Sequence, residues 1–409
     1  MMRSLFSAVS GLRSHQTAMD VIGENIANVN TVGYKTSRVI FKEMFSQTIK
    51  GASSPTGAQG GTNPQQVGLG VSLSSVDTIH SQGNLQPSGR ITDMAIEGNG
   101  FFVLKEGERR YYTRAGNFDL DANGVLVDSA GRRVLGWMAT NGVFGTRTDS
   151  TLTAITIPIG QQINATPTTR AAWYHNLDSR AVNGTTRTTS MVAFDSLGNA
   201  HQLTVTFTKV DVNKWDWSVS GSGGVTASGS GHLVFDTTGN LQSSIVVDPV
   251  TVDLSALGAN NLTIQMDFSR VTQNADDSTV ELAERDGAPP GSLETVSVDE
   301  LGVISGVYSN GLSRPLAQVA LAMFPNPGGL SKSGAGVYEE SNNSGPRQID
   351  QPGSGGRGKI APSALELSNV DLANEFTAMI TTQRGFQANS RVITASDEML
   401  QELVNLKRS

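Results

Sequence analysis

Two stretches of the chain repeat apolar side chains at a helical spacing, and they lie at its opposite ends. Near the N-terminus Leu5, Leu12, Met19 and Ile26 recur every seven residues, with Ala8, His15, Ile22 and Val29 interleaved three positions later. Near the C-terminus Leu372, Met379, Phe386, Ile393 and Leu400 keep the same period. A seven-residue repeat held over about four heptads lays one apolar stripe along a long helix. It favours helix-on-helix packing over a helix lying on a sheet. Helices are therefore predicted over 3–30 and 364–407, with Gly33 as the stop of the first.

Between these ends the period falls to two. In LTVTFTK (203–209) Leu203, Val205 and Phe207 face one way and the threonines the other, the pattern of a half-buried strand. Residues 101–137 read as several short strands between glycine-containing turns. Asn123-Gly124 predicts a type I′ hairpin, in which both central residues need positive φ. DSLGN (195–199), DTTGN (236–240) and DELG (299–302) repeat an Asp-x-x-Gly turn. Such turns, with no helical period across 146–284, indicate a meander or barrel and not alternating βαβ units. Two stretches rich in Gly, Ser and Pro, 46–70 and 346–358, read as linker or arm.

The fold class predicted is mixed: long N- and C-terminal α-helices packed together, with a mainly-β body. That body consists of a discontinuous β domain and an inserted all-β domain. In chain order the plan is an N-terminal helix within 1–33, a linker or arm at 34–70, and a first β half at 71–145. An inserted β domain at 146–284 and a second β half at 285–345 follow, then a return linker at 346–363 and a C-terminal helix within 364–409. Glycine-rich segments on both sides would detach the helices from the β body and leave them unordered in a free monomer. The seams alone also fit an antiparallel pair within one chain.

Composition adds exclusions. Charged residues are 16% of the 409 and the net charge is -7, which disfavours a sequence-independent grip on nucleic acid or anionic lipid. No run of about 20 apolar residues is present to span a membrane, and the first residues lack the core and cleavage site of a secretory leader. The absence of cysteine excludes disulfides, thiolate metal sites and cysteine nucleophiles. DLDANG (119–124) resembles half a calcium loop, but the ligand expected at its twelfth position is Ala130, so a hairpin turn is the better reading. GSGGRGK (353–359) has phosphate-loop spacing, yet Ile360 stands where Ser or Thr is needed, which leaves a flexible basic linker. The five histidines have no metal-ligand spacing. No catalytic, cofactor or metal residues are assigned, and an enzyme is not indicated.

The seam residues are the candidate site. Assembly through the ends would use Leu5, Leu12, Met19, Ile22, Ile26, Leu372, Phe376, Met379, Phe386, Ile393 and Leu400. Asn28 joins them as a register-fixing contact, because asparagine costs roughly 0.5 kcal/mol relative to alanine within a helix. Ordinary capping of the helix end is the alternative for Asn28.

SGLRSHQTAMDVIGENIANVNTVGYK (10–35), AIEGNGFFVL with YYTRAGNF (95–118) and LELSNVDLANEF through FQANSR to LVNLKR (365–408) resemble the bacterial flagellar axial rod/hook family. FDSLGNAHQLTVTFTK (194–209) resembles an insert particular to its hook-protein branch, and DGAPPGSLETVSVDELGVISGVYSNG (286–311) the return to the shared domain. The resemblance implies a homopolymer with the terminal helices as inner tube, the shared β domain as middle shell and the insert outermost. It further implies a curved flexible tube acting as a universal joint for motor torque. Expected partners are the flagellar rod proximally, a hook–filament junction protein distally, a hook cap scaffolding protein and the flagellar type III export apparatus. Nucleic acid and membrane insertion are not expected. The implied location is extracellular, in the flagellar hook, after export without a cleavable signal peptide. A distal rod-type subunit and a secreted β-rich adhesin are the competing readings.

Overall fold

The computed structural model describes residues 2–55, 60–158, 160, 162–222 and 225–406. The chain divides into two compact units, one of 1–157, 297–305 and 315–409, the other of 158–296 and 306–314.

In the first unit, helix α1 (Met2–Ala27) is followed by a long antiparallel arm. Its inner tier pairs β1 (Ser37–Glu43) with β4 (Val71–Thr78), and its outer tier pairs β2 (Ser46–Lys50) with β3 (Gln65–Gly68). The expected linker at 34–70 is thus strand on both sides of a tip whose residues 56–59 lie outside the described residues. Residue 71 opens the return limb of this arm and not the β body. Helix α1 ends three residues before its predicted limit because Asn28 Nδ2 turns back to the Glu24 carbonyl at 2.9 Å. The chain then passes through Gly33 at φ 68°, where a Cβ would sit 2.5 Å from the Ala115 nitrogen.

The body of this unit is an antiparallel sheet around β7 (Phe101–Glu106) and β8 (Arg109–Thr113). Strands Val337–Glu339 and Ser331–Gly334 extend it beyond β8, and Arg133–Thr140 and Leu321–Met323 pair with β7. Phe101, Val103, Tyr112, Leu135, Ala322, Phe324 and Tyr338 close its core, with aromatic rings meeting edge to face. Residues 146–157, expected in the insert, belong here: Ile155 bonds Val134 and Leu126 through the backbone.

The expected return linker at 346–363 is also ordered. Strand Gln348–Asp350 pairs with Leu321–Met323, and Lys359–Pro362 pairs with β6 (Met94–Glu97). Within GSGGRGK the Gly358 N–H donates to the Asn99 carbonyl and Arg357 reaches the Gln348 carbonyl, so the segment is a built turn and not a flexible linker. Residues 364–371, assigned to the C-terminal helix, begin as strand Ala364–Glu366 paired with β5 (Leu85–Pro87). Helix α2 (Leu372–Leu406) starts later because Asp371 caps it, accepting the Ala373 N–H at 2.9 Å. Positions 407–409 lie outside the described residues.

In the second unit, strands Thr186–Phe194, Ala200–Asp211, Lys214–Gly221, Thr226–Phe235, Leu241–Asp253 and Leu262–Asn274 form an antiparallel meander. Arg170–Asp178 then pairs parallel with Leu262–Asn274, and Glu281–Arg285 flanks it. The outermost strands lie against each other, so the sheet curls on itself. Leu203, Val205 and Phe207 point inward to Trp173, Trp215, Trp217 and Phe268, as the alternation predicts.

One turn recurs in both units. At Asp121, Asp128, Asp195, Asp236 and Asp299 the carboxylate Oδ1 accepts the backbone N–H groups two and four residues on. The glycine three residues on has positive φ each time. Asn123 does not share that sign, so Asn123-Gly124 forms this Asp-capped turn and not the predicted type I′ hairpin.

Candidate assembly interface

The terminal helices pack on each other antiparallel. Asn389 faces Gly11, His15 faces Gly385, and Asn25 Nδ2 reaches Glu375 Oε1 at 3.2 Å. Small residues let the backbones approach: a Cβ at Gly11 would lie 2.7 Å from Asn389 Nδ2, and one at Gly385 would lie 2.7 Å from the His15 ring. An intramolecular pair, the alternative left open by the heptads, is therefore present in the single chain.

The stripe that this pairing and the arm cover on α1 is Ala8, Gly11, Ser14, Ala18, Ile22 and Asn25. Of the predicted seam only Ile22 is fully buried, while Leu5, Leu12, Met19 and Ile26 stay half-buried. On α2, Met379, Phe386, Ile393 and Leu400 are half-buried, and Leu372 and Phe376 are exposed. Sequence reasoning missed Gly11, Ser14 and Ala18; the signal was a helical period in small residues, beside the louder period in large ones. Asn25 is the register-fixing asparagine within the chain. Its Nδ2 donates to the Ser37 carbonyl at 2.8 Å, and its Oδ1 accepts the Ser37 N–H and the Tyr34 hydroxyl. Asn28 bonds only its own helix end and Thr31, which is the capping alternative.

A buried ionic cluster fixes the root of helices and arm on the β body, so the expected detachment does not hold. Lys35 Nζ donates to Glu366 Oε1 at 2.6 Å, with both side chains wholly buried, and to the Ser81 carbonyl at 2.7 Å. Glu366 Oε1 also accepts the Gly83 N–H at 2.8 Å, its Oε2 faces Arg114 at 3.5 Å, and its carbonyl accepts the Gly33 N–H. Burial pushes Lys35 and Arg114 below their ordinary ranges, and Glu366 opposes that shift for both. Burial, with Glu24 and Glu375 nearby, lifts the Tyr34 phenol to about 12. Lys332 donates to Ser37 Oγ at 2.8 Å and lies over the Tyr34 ring.

Large apolar side chains remain uncovered among the polar ones. Phe6, Phe376, Ile380, Met399 and Val404 on the helices are exposed, and Phe45 at 86% and Ile49 at 62% stand on the arm. A groove of about 520 Å³ runs between α1 and the arm, lined by Phe6, Val9, Met44, Leu69, Val71 and Leu73. Scattered single apolar residues are normal on a surface, but contiguous sets of this kind mark contact sites. Among the described residues no group of three or more His, Asp or Glu side chains is placed to hold a metal. Asp121 of the calcium-like motif is occupied by backbone N–H groups.

Comparison with known proteins assigns these parts. Residues 5–35 match the flagella basal body rod protein family, and 361–406 match the flagellar basal body rod FlgEFG protein C-terminal family. Between them, 95–169 match the flagellar hook protein FlgE/F/G D1 domain and 162–288 the flagellar basal body protein FlaE D2 domain. The flagellar hook protein FlgE of Borreliella burgdorferi is 44% identical, and that of Treponema pallidum 42%, each over all of both chains. In fold, the crystal structure of Helicobacter pylori flagellar hook protein FlgE2 is similar, with TM-score 0.54 over 69% of this chain and 100% of that one at 17% identity. With both terminal signatures, the domains between them and this identity over its full length, the chain belongs to the bacterial flagellar hook protein family.

Proposed function

We propose that the chain builds its polymer through the terminal helices, giving a curved, flexible tube that transmits motor torque as a universal joint. It is a structural subunit of the flagellar hook and not an enzyme, self-polymerising and associated with the rod. The observation that carries the proposal is the apolar surface left on α1, α2 and the arm after the chain has folded on itself. Burial of apolar area is worth about 25 cal/mol per Å², so these faces favour contact with further copies. Leu5, Leu12, Met19, Ile26, Leu372, Phe376, Met379, Phe386, Ile393 and Leu400, half-buried or exposed in the monomer, are the residues assigned to that contact; Ile22 and Asn28 hold the pair and its end together.

The layout proposed places the helices innermost in the tube, the β sheet of the first unit around them, and the inserted β domain outermost. The distal junction protein, the cap scaffold and the type III export apparatus are the further partners, and the extracellular hook is the location. Deleting 1–30 and, separately, 365–409 tests the helix contact, with tubes scored by electron microscopy. Neither truncate should polymerise. Because the second deletion also removes Glu366, Ile380→Glu on the exposed face of α2 provides a version that leaves the monomer intact. Tubes of normal length from any of the three would end the proposal.

A further inference from the structure

We propose that the junction around His80 is an acid-opened latch between the arm and helices on one side and the β body on the other. His80 lies just past β4, in the segment 79–83 that supplies the Ser81 carbonyl to Lys35 and the Gly83 N–H to Glu366. Its ring lies edge-on to Phe101 at 5.5 Å and to Tyr338 at 5.4 Å, and its Nδ1 is buried without a hydrogen-bond partner. The charged and titratable groups facing this junction come from every element around it. Lys35 and Tyr34 enter from the start of the arm, Arg114 from the end of β8, and Lys332 and Tyr338 from the outer strands of the sheet. Glu366 comes from the strand before α2, Glu24 acts on Tyr34 and Lys332 from α1, and Glu375 acts on Tyr34 from α2. Lys35 and Arg114 thus already share one buried carboxylate, and Lys332 is a third cation beside His80.

A protonated imidazole would be a fourth positive charge set among aromatic rings. Burial first, then Lys35, Arg114 and Lys332, push the His80 pKa down to about 4, against a smaller opposing pull from the Pro327 backbone. To take up a proton above that value the ring must leave its place for water. Residues 79–83 leave with it, which removes two of the bonds that seat Lys35 and Glu366. The open form therefore binds more protons than the closed one between the ordinary histidine value of 6.5 and about 4. Closure is favoured in full above that window and weakens as pH falls through it. At roughly tenfold per unit, the closing equilibrium changes by about 300-fold across the window.

Hydrogen exchange read by mass spectrometry on the dilute full-length chain, corrected for intrinsic rates, tests this from pH 7 to pH 4. Peptides covering 28–45, 79–84 and 364–371 should lose at least a hundredfold of their protection, while 203–219 in the second unit keeps its own. His80→Phe should hold the junction closed over the same range. Opening of His80→Phe at the wild-type pH would assign the effect to a group other than His80 and overturn the proposal. So would simultaneous loss of protection in 203–219. If His80→Phe does not fold, the His80 ring resonance in the intact wild-type chain decides: titration near 4 supports the latch and titration near 6.5 overturns it.

Discussion

Replacing Glu366 by Gln removes one charge from the most deeply buried ionic site of the first unit and changes its volume little. The carboxylate faces Lys35 at 2.6 Å and Arg114 at 3.5 Å and accepts the Gly83 N–H at 2.8 Å. Two buried cations would then lack a counter-charge, although the amide oxygen can keep the Gly83 bond. Breaking a buried pair by removing one partner costs about 3–5 kcal/mol, against a total stability of about 5–15 kcal/mol for a domain. With a urea dependence of about 1–3 kcal/mol/M, the midpoint falls by at least about 1 M. Two probes separate the units. Circular dichroism at 222 nm reports chiefly the α-helices α1 and α2, both in the first unit, while three of the four tryptophans sit in the core of the second. Glu366→Gln should shift the dichroism transition and leave the fluorescence transition in place. Adding Lys35→Met should restore part of the loss, since one uncompensated charge disappears. A shift below about 1 kcal/mol, or a double variant weaker than the single, would refute the view that Glu366 is the counter-charge holding the junction.

Gly385→Ala sets a methyl 2.7 Å from the His15 ring and should cost about 1–3 kcal/mol by pushing that ring from its place against Phe41; urea unfolding followed at 222 nm measures it, and tube formation should weaken in parallel. In the second unit, Asp195 is buried, which alone would raise its pKa. Hydrogen bonds from His201, Asn199 and the backbone N–H groups of 197 and 199 outweigh that and hold it at about 2. Its contribution, roughly 2 kcal/mol, is present above the ordinary value near 4 and is lost as pH falls through about 2. Asp195→Ala should flatten the acid dependence of tryptophan fluorescence in that range; an unchanged acid limb would contradict the assignment.

The helices and alternating strands were legible because burial imposes a period that a single sequence carries. The face of the helix pair was harder to read. Leu5, Leu12, Met19 and Ile26 dominate the hydrophobic pattern, yet the close contact runs through Gly11 and Gly385, where smallness decides the approach. The arm at 34–70 was hidden because its strands are exposed on most faces and rich in Ser, Thr and Gln, so no alternation marks them. Asp-x-x-Gly was visible as a turn, but its geometry depends on a carboxylate accepting two backbone N–H groups, which leaves the preceding residue free of positive φ. The junction was unreadable for a topological reason: Lys35 and Glu366 are 331 residues apart, and neither has a local pattern that names its partner.

The antiparallel pairing of α1 with α2 means that the first helix waits for the last. Gly11 meets Asn389 and Asn25 meets Glu375 only after nearly the whole chain is available. Until then α1 has only the arm to cover part of its small-residue face, and helices without a packing partner are marginal in water. Any chain that stops early, through a premature stop codon or a proteolytic cut, lacks the second half of the pair. The helix pair is therefore a certificate of length: under the assembly proposed above, a subunit that lacks α2 has no pair to contribute to the polymer.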